Sequence, residues 1–481
     1  MTKHLDIDTK AMRAKILDLA IQGKLTDQRE EDGNARDLLK EIQAEKEKLI
    51  KEKKIKKGKP LPEIEADEIP FEIPKNWMWA RWGTLSISIK YGYNTSAQKD
   101  GKIKMVRISD IQNNQVNWDS VPFCNIPKEE ITQYLLRKND ILFARTGGTV
   151  GKSYLVSEVP ENVVYAGYLI RTRYSEKLSP QYLKYFMESD LYWSQLKKGT
   201  TTTAQPNCNA KTLGKMVLPL PPLAEQKRIA DKVATLFAQL DAIDKAYEEY
   251  RELQQTMKAK LLDLAVQGKL TDQRAEDGNA RDLLKEIQAE KEKLIKEKKI
   301  KKEKPLPEIT EEEKPFDIPE NWMWVRLGEM ILNHIGGGTP DKSNEAYWNG
   351  DIPWMSVKDV HQDSMYADRT IDSITPAGLE NSSSNLIEAN RLIVVMRMAV
   401  GRAVINKLPV AINQDLRALF FRDNVTQEYI LRIFKILKFE TSGMTVKGIK
   451  LWVLLNTPIP LPPLDEQKRI VAKLDELLPL L

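Results

Sequence analysis

From Ile229 onward the apolar residues fall at alternating intervals of four and three: Val233, Leu236, Leu240, Ile243, Tyr247, Tyr250, Met257, Leu261 and Leu264, broken only by the polar Gln254. This spacing lines one side of a helix, and its persistence over five heptads predicts a long helix with a coiled-coil seam. Pro221 and Pro222 stand before the pattern, and Gly268 is placed to end it as a left-handed cap. A helix over residues 223–267 would be ~65–70 Å long at about 1.5 Å per residue. The two ends of the chain carry the same pattern in pieces. Ile470, Leu474, Leu477 and Leu481 match its start, and Met12, Ile16 and Leu19, followed by Gly23, match its end. Residues 241–256 fill the gap in the central copy, where Met1–Ala11 are available in the other. The expectation is a second, split helix antiparallel to the first.

The chain also repeats itself in detail. Residues 12–83 return at 257–328 with 59 identities in 72 positions, and PLPPLAEQKRI at 219–229 returns as PLPPLDEQKRI at 460–470. Between the repeats, residues 84–217 and 329–458 hardly resemble each other. A solenoid would use shorter periods and change gradually. Here a frame is copied while its inserts differ, as suits a scaffold for two interchangeable domains. We divide the chain into an N-terminal helical region (1–72), a first domain (73–217), a central helical spacer and linker (218–317), a second domain (318–458) and a C-terminal helix (459–481).

After each Gly cap a further helix is expected, opened by Asn34 or Asn279 as N-cap and running through KEIQAEKEKLIKEKKIKK until KPLPEI breaks it into an extended linker. Its basic run is either a solvated face or a docking surface for a partner subunit or DNA phosphate. Inside the inserts, short apolar runs such as KMVRISDI, DILFAR, LIRTRY and RLIVVMR predict strands, and SPQYLKYFMESDLYWSQLKK predicts helix, giving mixed α/β domains. The fold class expected is two mixed α+β domains separated by long antiparallel helices, pseudo-twofold and circularly arranged.

Composition narrows the function. No run of eighteen apolar residues is present and MTKHLDIDTKAMRAK lacks the apolar core of a signal peptide, so a cytoplasmic protein without a membrane span is expected. Cys124 and Cys208 are too few for a disulfide framework. Net charge is +5, but its distribution is uneven: residues 84–217 hold 18 basic against 11 acidic groups, residues 329–458 hold 14 of each. His4, His334 and His361 are the only histidines, and their spacing to the cysteines does not suit zinc. GGTVGKS (147–153) resembles a phosphate-binding loop, but position 146 is Thr where that loop needs Gly, so a tight turn between strands is expected instead. No adenine-methyltransferase motif and no nuclease cluster stands out, so no cofactor and no metal is assigned to this chain.

The order of motifs resembles the specificity subunits of Type I restriction–modification systems over nearly the whole chain. IPKNWMWARWG (73–83) and IPENWMWVRLG (318–328) are similar to the segments that lead into that family's target recognition domains, and the two PLPPL-x-EQKRI motifs to those that lead out. GGGTPDKSNEAYWNGDIPWMSVKDV (336–360), DILFARTGGTVGKS (140–153) and RLIVVMRMAVGRAV (391–404) are similar to segments within them. The resemblance implies a DNA-binding subunit without catalysis of its own. Each domain would read one half of a split, asymmetric double-stranded site, with the helices spacing the halves. Two methyltransferase subunits would dock on the frame, two restriction subunits would join them, and S-adenosylmethionine and ATP would belong to those partners. The alternatives are the recognition portion of a methyltransferase–nuclease enzyme and a coiled-coil protein-interaction adaptor.

Base edges are best read by Arg, Lys, Asn and Gln, while hydroxyls and amides mostly hold phosphate. On that basis the candidate DNA-binding residues of the first domain are Lys90, Tyr91, Tyr93 and Asn94 in a loop after a strand, Arg145, Thr146 and Lys152 in the strand turn, and Lys198, Thr200, Thr201, Gln205 and Asn207 in a polar loop. Those of the second are Thr339, Lys342 and Ser343, then Arg397 and Arg402, the counterparts of the strand turn, then Ser442 and Lys447. Trp77, Trp79, Trp322 and Trp324 recur in both frames and are expected to pack the junction between linker and domain. Trp348 and Trp354 are expected in the core.

Overall fold

The computed structural model of the protein describes residues 7–200, 207–362, 364–437, 439 and 447–481. They form two compact units, one ending at Tyr247 and the other running from Glu248 to Leu481. A 44-residue helix, Leu223–Val266, contributes its first half to one unit and its second half to the other. No helix among the described residues is long and apolar enough to cross a membrane.

In the first unit the helix Thr9–Ile21 lies antiparallel along the start of the long helix: Thr9 reaches Asp244, Arg13 reaches Asp241, and Leu17 and Ile21 share a core with Ile229 and Val233. Asn34 caps the helix Ala35–Lys51 by accepting from the Arg36 amide, and Leu38 and Ile42 bury its apolar face. The domain is built on an antiparallel sheet in the order Ser86–Tyr91, Leu169–Tyr174, Ile141–Ala144, Ser153–Leu155. A smaller sheet pairs Ile103–Val106 with Phe123–Cys124 and, in parallel, with Val163–Tyr165. The GGTVGKS segment lies between two antiparallel strands, where a phosphate-binding loop would open a helix. The single helix expected over residues 179–198 is two, Pro180–Phe186 and Asp190–Gly199. Ser189 ends the first by donating to the Phe186 carbonyl and caps the second by accepting from the Tyr192 amide.

The second unit repeats the frame. Asn279 caps Ala280–Lys296, and Leu464–Leu477 packs with Ala265 and Val266 of the long helix through Ile470, Val471 and Leu474. Its domain has a five-stranded sheet in the order Asn333–Gly336, Leu416–Phe420, Leu392–Val395, Ala403–Asn406, Tyr366–Ala367. A four-stranded sheet runs Asp372–Ile374, Trp348–Met355, Val410–Ile412, Asn385–Ile387. Trp354 is buried, and half-buried Trp348 packs edge-on against it.

In each unit the segments leading into and out of the domain pair as a short antiparallel ladder, Met78–Arg81 with Val217–Leu220 and Met323–Arg326 with Pro458–Leu461. Behind each ladder the EQKRI motif closes a latch. Glu225 is fully buried and accepts from Trp77 Nε1 (2.7 Å), Gln28 Nε2 (2.6 Å) and Thr26 Oγ1 (3.2 Å); Glu466 does the same for Trp322, Gln273 and Thr271. Burial pushes both carboxyls above the usual range, and the bonds from tryptophan, glutamine and threonine oppose that shift. Arg228 grips Asp32, and Arg469 grips Asp277. Trp79 and Trp324 pack on Phe71 and Phe316 of the linkers, so all four repeated tryptophans serve the junction.

The apolar seam of the long helix is buried at some positions and exposed at others. Ile229, Val233 and Leu240 are buried, as are Ala265 and Val266, whereas Ile243, Tyr247, Tyr250 and Met257 are exposed. Thr9, at the start of the helix Thr9–Ile21, donates to Asp244.

Candidate nucleic-acid interface

In the first domain the edge of the main sheet gathers three chain segments. Tyr91 ends the first strand, so Lys90 and Tyr91 belong to the strand rather than to the loop expected there. Arg145 leaves the third strand with its N–H on the Tyr168 carbonyl (3.1 Å) and its own carbonyl on the Cys208 N–H (2.9 Å), and Thr146 bridges Asn207. The Arg145 guanidinium lies over the Tyr91 ring, 4.7 Å from its centroid, and the Tyr91 hydroxyl accepts from the Ala210 N–H (3.0 Å). Among the described residues no side-chain hydrogen bond or ion pair holds Arg145, and its Nε is buried without a partner. Such a stack contributes about 0.5–2 kcal/mol and holds the guanidinium in place. By contrast the terminal nitrogens of Arg81, Arg171 and Arg228, and Nε of Arg173, bond carboxylates and carbonyls of the fold.

Tyr93 and Asn94 run beside the turn 166–168: the Tyr93 N–H donates to Tyr165 and the Gly167 N–H to Tyr93. Lys152 is exposed at the far side of the hairpin turn, and Lys198 is exposed on the helix against which that turn packs. The Thr200 hydroxyl is occupied by the Leu196 carbonyl. Thr201 and Gln205 lie outside the described residues, as does Ser442 in the second domain.

The second domain assembles the same sheet edge from other side chains. The Met396 N–H donates to the Asp415 carbonyl (2.7 Å), the Ile449 N–H to Met396 (2.9 Å) and the Met398 N–H to Lys447 (2.8 Å), while Arg397 bridges Gly448. Arg397 is 59% exposed, with Nη1 3.7 Å from Asp415 Oδ1. Thr339 Oγ1 donates to Gln414 Oε1, bringing the Gly-Thr-Pro loop to the same place. Lys342 and Ser343 continue that loop, with the Ser343 hydroxyl on Asp341, and Arg402 turns to the Val360 carbonyl (3.5 Å).

These bonds set the correspondence between the domains. Arg145 and Met396 make the same backbone contacts, as do Thr146 and Arg397. Arg145 and Arg397 are therefore not counterparts, contrary to the expectation from sequence: they are one position out of step, and in extended chain one step reverses the side-chain direction.

The family profile for the Type I restriction modification DNA specificity domain matches twice, at residues 89–250 and 319–479. The chain belongs to this family. It is 27% identical to the Type I restriction enzyme EcoEI specificity subunit of Escherichia coli, over 97% of this chain and 88% of that one. It is likewise 27% identical to the EcoAI specificity subunit of Escherichia coli, over 98% and 89%. A chain solved in work on complex assembly and conformational transition of the type I R-M system shares its fold, with a TM-score of 0.54 and 24% identity over 85% of this chain and 91% of that one.

Each specificity domain also carries residues at this edge that sequence reasoning missed. The turn before the strand Leu169–Tyr174 is Ala166-Gly167-Tyr168, and the turn before Leu416–Phe420 is Asn413-Gln414-Asp415. Tyr168 is 61% exposed and Gln414 is exposed. Aligning the two specificity domains on their strands would have exposed both turns, since each is followed by Leu at the first strand position. Of the basic helical runs, Lys46 and Lys291 turn inward to the carbonyls of Gly83, Thr84, Gly328 and Ile331, and Lys48, Lys51, Lys293 and Lys296 are exposed.

Proposed function

We propose that this chain is the sequence-reading subunit of a Type I restriction–modification complex, with each domain reading one half of a split double-stranded DNA site. The observation that carries this is the repeated sheet edge: one backbone scaffold, latched to one frame, offers a stacked guanidinium without a partner among the described residues in the first domain and an amide–carboxylate cluster in the second. A guanidinium fork fits the two acceptors of guanine, and amides and carboxylates fit bases that present an amino group. The net positive charge of residues 84–217 favours approach to phosphate. The frame helices dock two methyltransferase subunits, and two restriction subunits complete the assembly. S-adenosylmethionine and ATP act in those partners, and this chain catalyses nothing.

The test is a genome-wide map of methylated adenine in the host with the gene intact and deleted. Loss of one split motif on deletion is expected. An unchanged map, with no methyltransferase subunit co-purifying, would refute the proposal in favour of an adaptor, and metal-dependent DNA cutting by the purified chain would refute it in favour of an enzyme.

A further inference from the structure

We infer that Gln414 reads an adenine in the half-site taken by the second domain, its amide held for that task by Asp415 and Thr339. The inference rests on the DNA-reading function proposed above and adds the base and the residue.

Gln414 is the exposed residue of the turn between Val410–Ile412 and Leu416–Phe420, next to Asp415, which Arg397 approaches. A solvent-exposed glutamine ordinarily rotates about its side-chain bonds, and either end of the amide can face a ligand. Here both ends are assigned. Gln414 Nε2 donates to Asp415 Oδ2 (3.3 Å), and an ionised carboxylate only accepts, so the nitrogen must face it. Gln414 Oε1 accepts the hydroxyl of Thr339. Asp415 is itself fixed, with its N–H on Asn413 Oδ1 (3.0 Å), its Oδ2 on Asn413 Nδ2 (3.3 Å) and its carbonyl on the Met396 N–H (2.7 Å). These bonds use one N–H and one lone pair of the amide. Among the described residues one N–H and one lone pair of that planar group remain.

That remaining pair is the complement of the adenine edge in the major groove, where N7 accepts and N6 donates. Guanine offers two acceptors there, which the oxygen of a locked amide would face unfavourably. Cytosine offers a donor and thymine an acceptor without the adjacent partner that a bidentate contact needs. Pre-orientation lowers the entropic cost of forming both bonds, so a contact of this kind discriminates well for a flexible residue type. The equivalent turn of the first domain has Gly167 at this position, so the first half-site is read there by other groups.

The experiment is methylome mapping of the host carrying the intact system and, separately, Gln414→Ala, Asp415→Asn and Thr339→Val alleles. The intact allele must yield a split motif; without one, the DNA-reading function itself fails. Given the motif, Gln414→Ala is expected to relax one adenine position of one half-site, with discrimination there falling roughly tenfold to a hundredfold and every other position retained. Asp415→Asn and Thr339→Val, which free the amide to turn over, are expected to relax the same position less. A motif unchanged by Gln414→Ala, or relaxed at a position that is not adenine, would overturn the inference while leaving the DNA-reading function standing. Loss of all methylation in Gln414→Ala, with the chain still soluble and bound to its methyltransferase partner, would also overturn it, because a base-edge contact does not govern the whole site.

Discussion

The buried carboxylate of Glu225 sits between the two flanks of the first domain, and its removal should open that junction alone. Glu225→Ala strands three donors. Trp77 is buried and cannot recover a partner from water, whereas Thr26 is half-buried and Gln28 exposed, so both can rehydrate. Each bond to an ionised acceptor contributes about 1.5–3 kcal/mol, and an unsatisfied buried donor costs about 1–3 kcal/mol. Deletion also relieves the cost of burying the carboxylate, which is what raises its pKa. The net loss is about 2–4 kcal/mol, which should appear as a fall in amide protection of roughly 30- to 1,000-fold. Hydrogen-exchange mass spectrometry of the full chain should place that fall in residues 24–33 and 77–81, leaving 269–278 and 322–326 as in the unmodified chain. Glu466→Ala should do the reverse. Protection unchanged to within about threefold in residues 24–33, or loosening of both junctions by either substitution, would refute the reasoning.

Arg145→Ala is expected to weaken DNA binding by about 1–3 kcal/mol, and Tyr91→Leu by less, since it removes the ring that positions the guanidinium rather than the donors; equal affinity and an unchanged motif in both variants would contradict this placement. Glu313, held by Arg326 and the Thr310 N–H, has its carboxyl lowered to about 2 from an ordinary 4.5. A carboxylate lowered on folding stabilises above its unfolded pKa and loses that contribution as pH falls towards its folded one. The difference in urea midpoint between the unmodified chain and Glu313→Gln should therefore be constant near neutrality and shrink between pH 4.5 and 2; a pH-independent difference would speak against the ion pair. Gly151 has φ +93°, and a Cβ there would lie 2.1 Å from Leu196 and 2.5 Å from Trp193. Gly151→Ala should cost about 2–3 kcal/mol in thermal unfolding and weaken DNA binding through the displaced Arg145 turn, whereas Gly147→Ala, with φ +76° and open space around it, should cost about 1–2 kcal/mol from backbone strain alone.

Much of the frame was legible in the sequence because its signals are local. The period of the long helix, the caps Asn34, Asn279 and Gly268 and the duplicated segments each depend on a few adjacent residues, and each corresponds to an element described above. The latch was not legible: Glu225 and Glu466 occupy the first turn of a helix, where an acidic residue ordinarily faces water, and only the tertiary position of Trp77 and Trp322 makes them interior groups. The candidate DNA edge was legible by segment but not by residue. Six residues separate Ala144 from Gly151 and five separate Val395 from Gly401, so matching the arginines by eye put them one step out of register. Tyr168 and Gln414 escaped because a three-residue turn carries no periodicity, and they join the edge only through the strands that bring Arg145 and Thr339 to them.

The physical arrangement also accounts for the coexistence of a copied frame and divergent inserts. The latch that fixes a domain to its helices is built from the flanks: Thr26, Gln28, Asp32 and Trp77 towards its start, Glu225 and Arg228 after it, and the ladder Met78–Arg81 with Val217–Leu220 between. The domain itself adds contacts at Gln226, which accepts from the Ser179 N–H, and at Tyr182, whose hydroxyl donates to the Pro219 carbonyl. In the second unit Tyr429 makes the corresponding bond to Pro460, but Gln467 Oε1 is left buried without a partner. An insert therefore supplies two strand ends at the ladder, a tyrosine bonded to it and an apolar helix face for the shared core. Its sheet edge is then free to change chemistry, because none of the latch bonds passes through Arg145, Arg397 or Gln414. A substitution at the sheet edge should alter what is bound without loosening the frame, and a substitution in the latch should loosen the frame without changing which base is chosen.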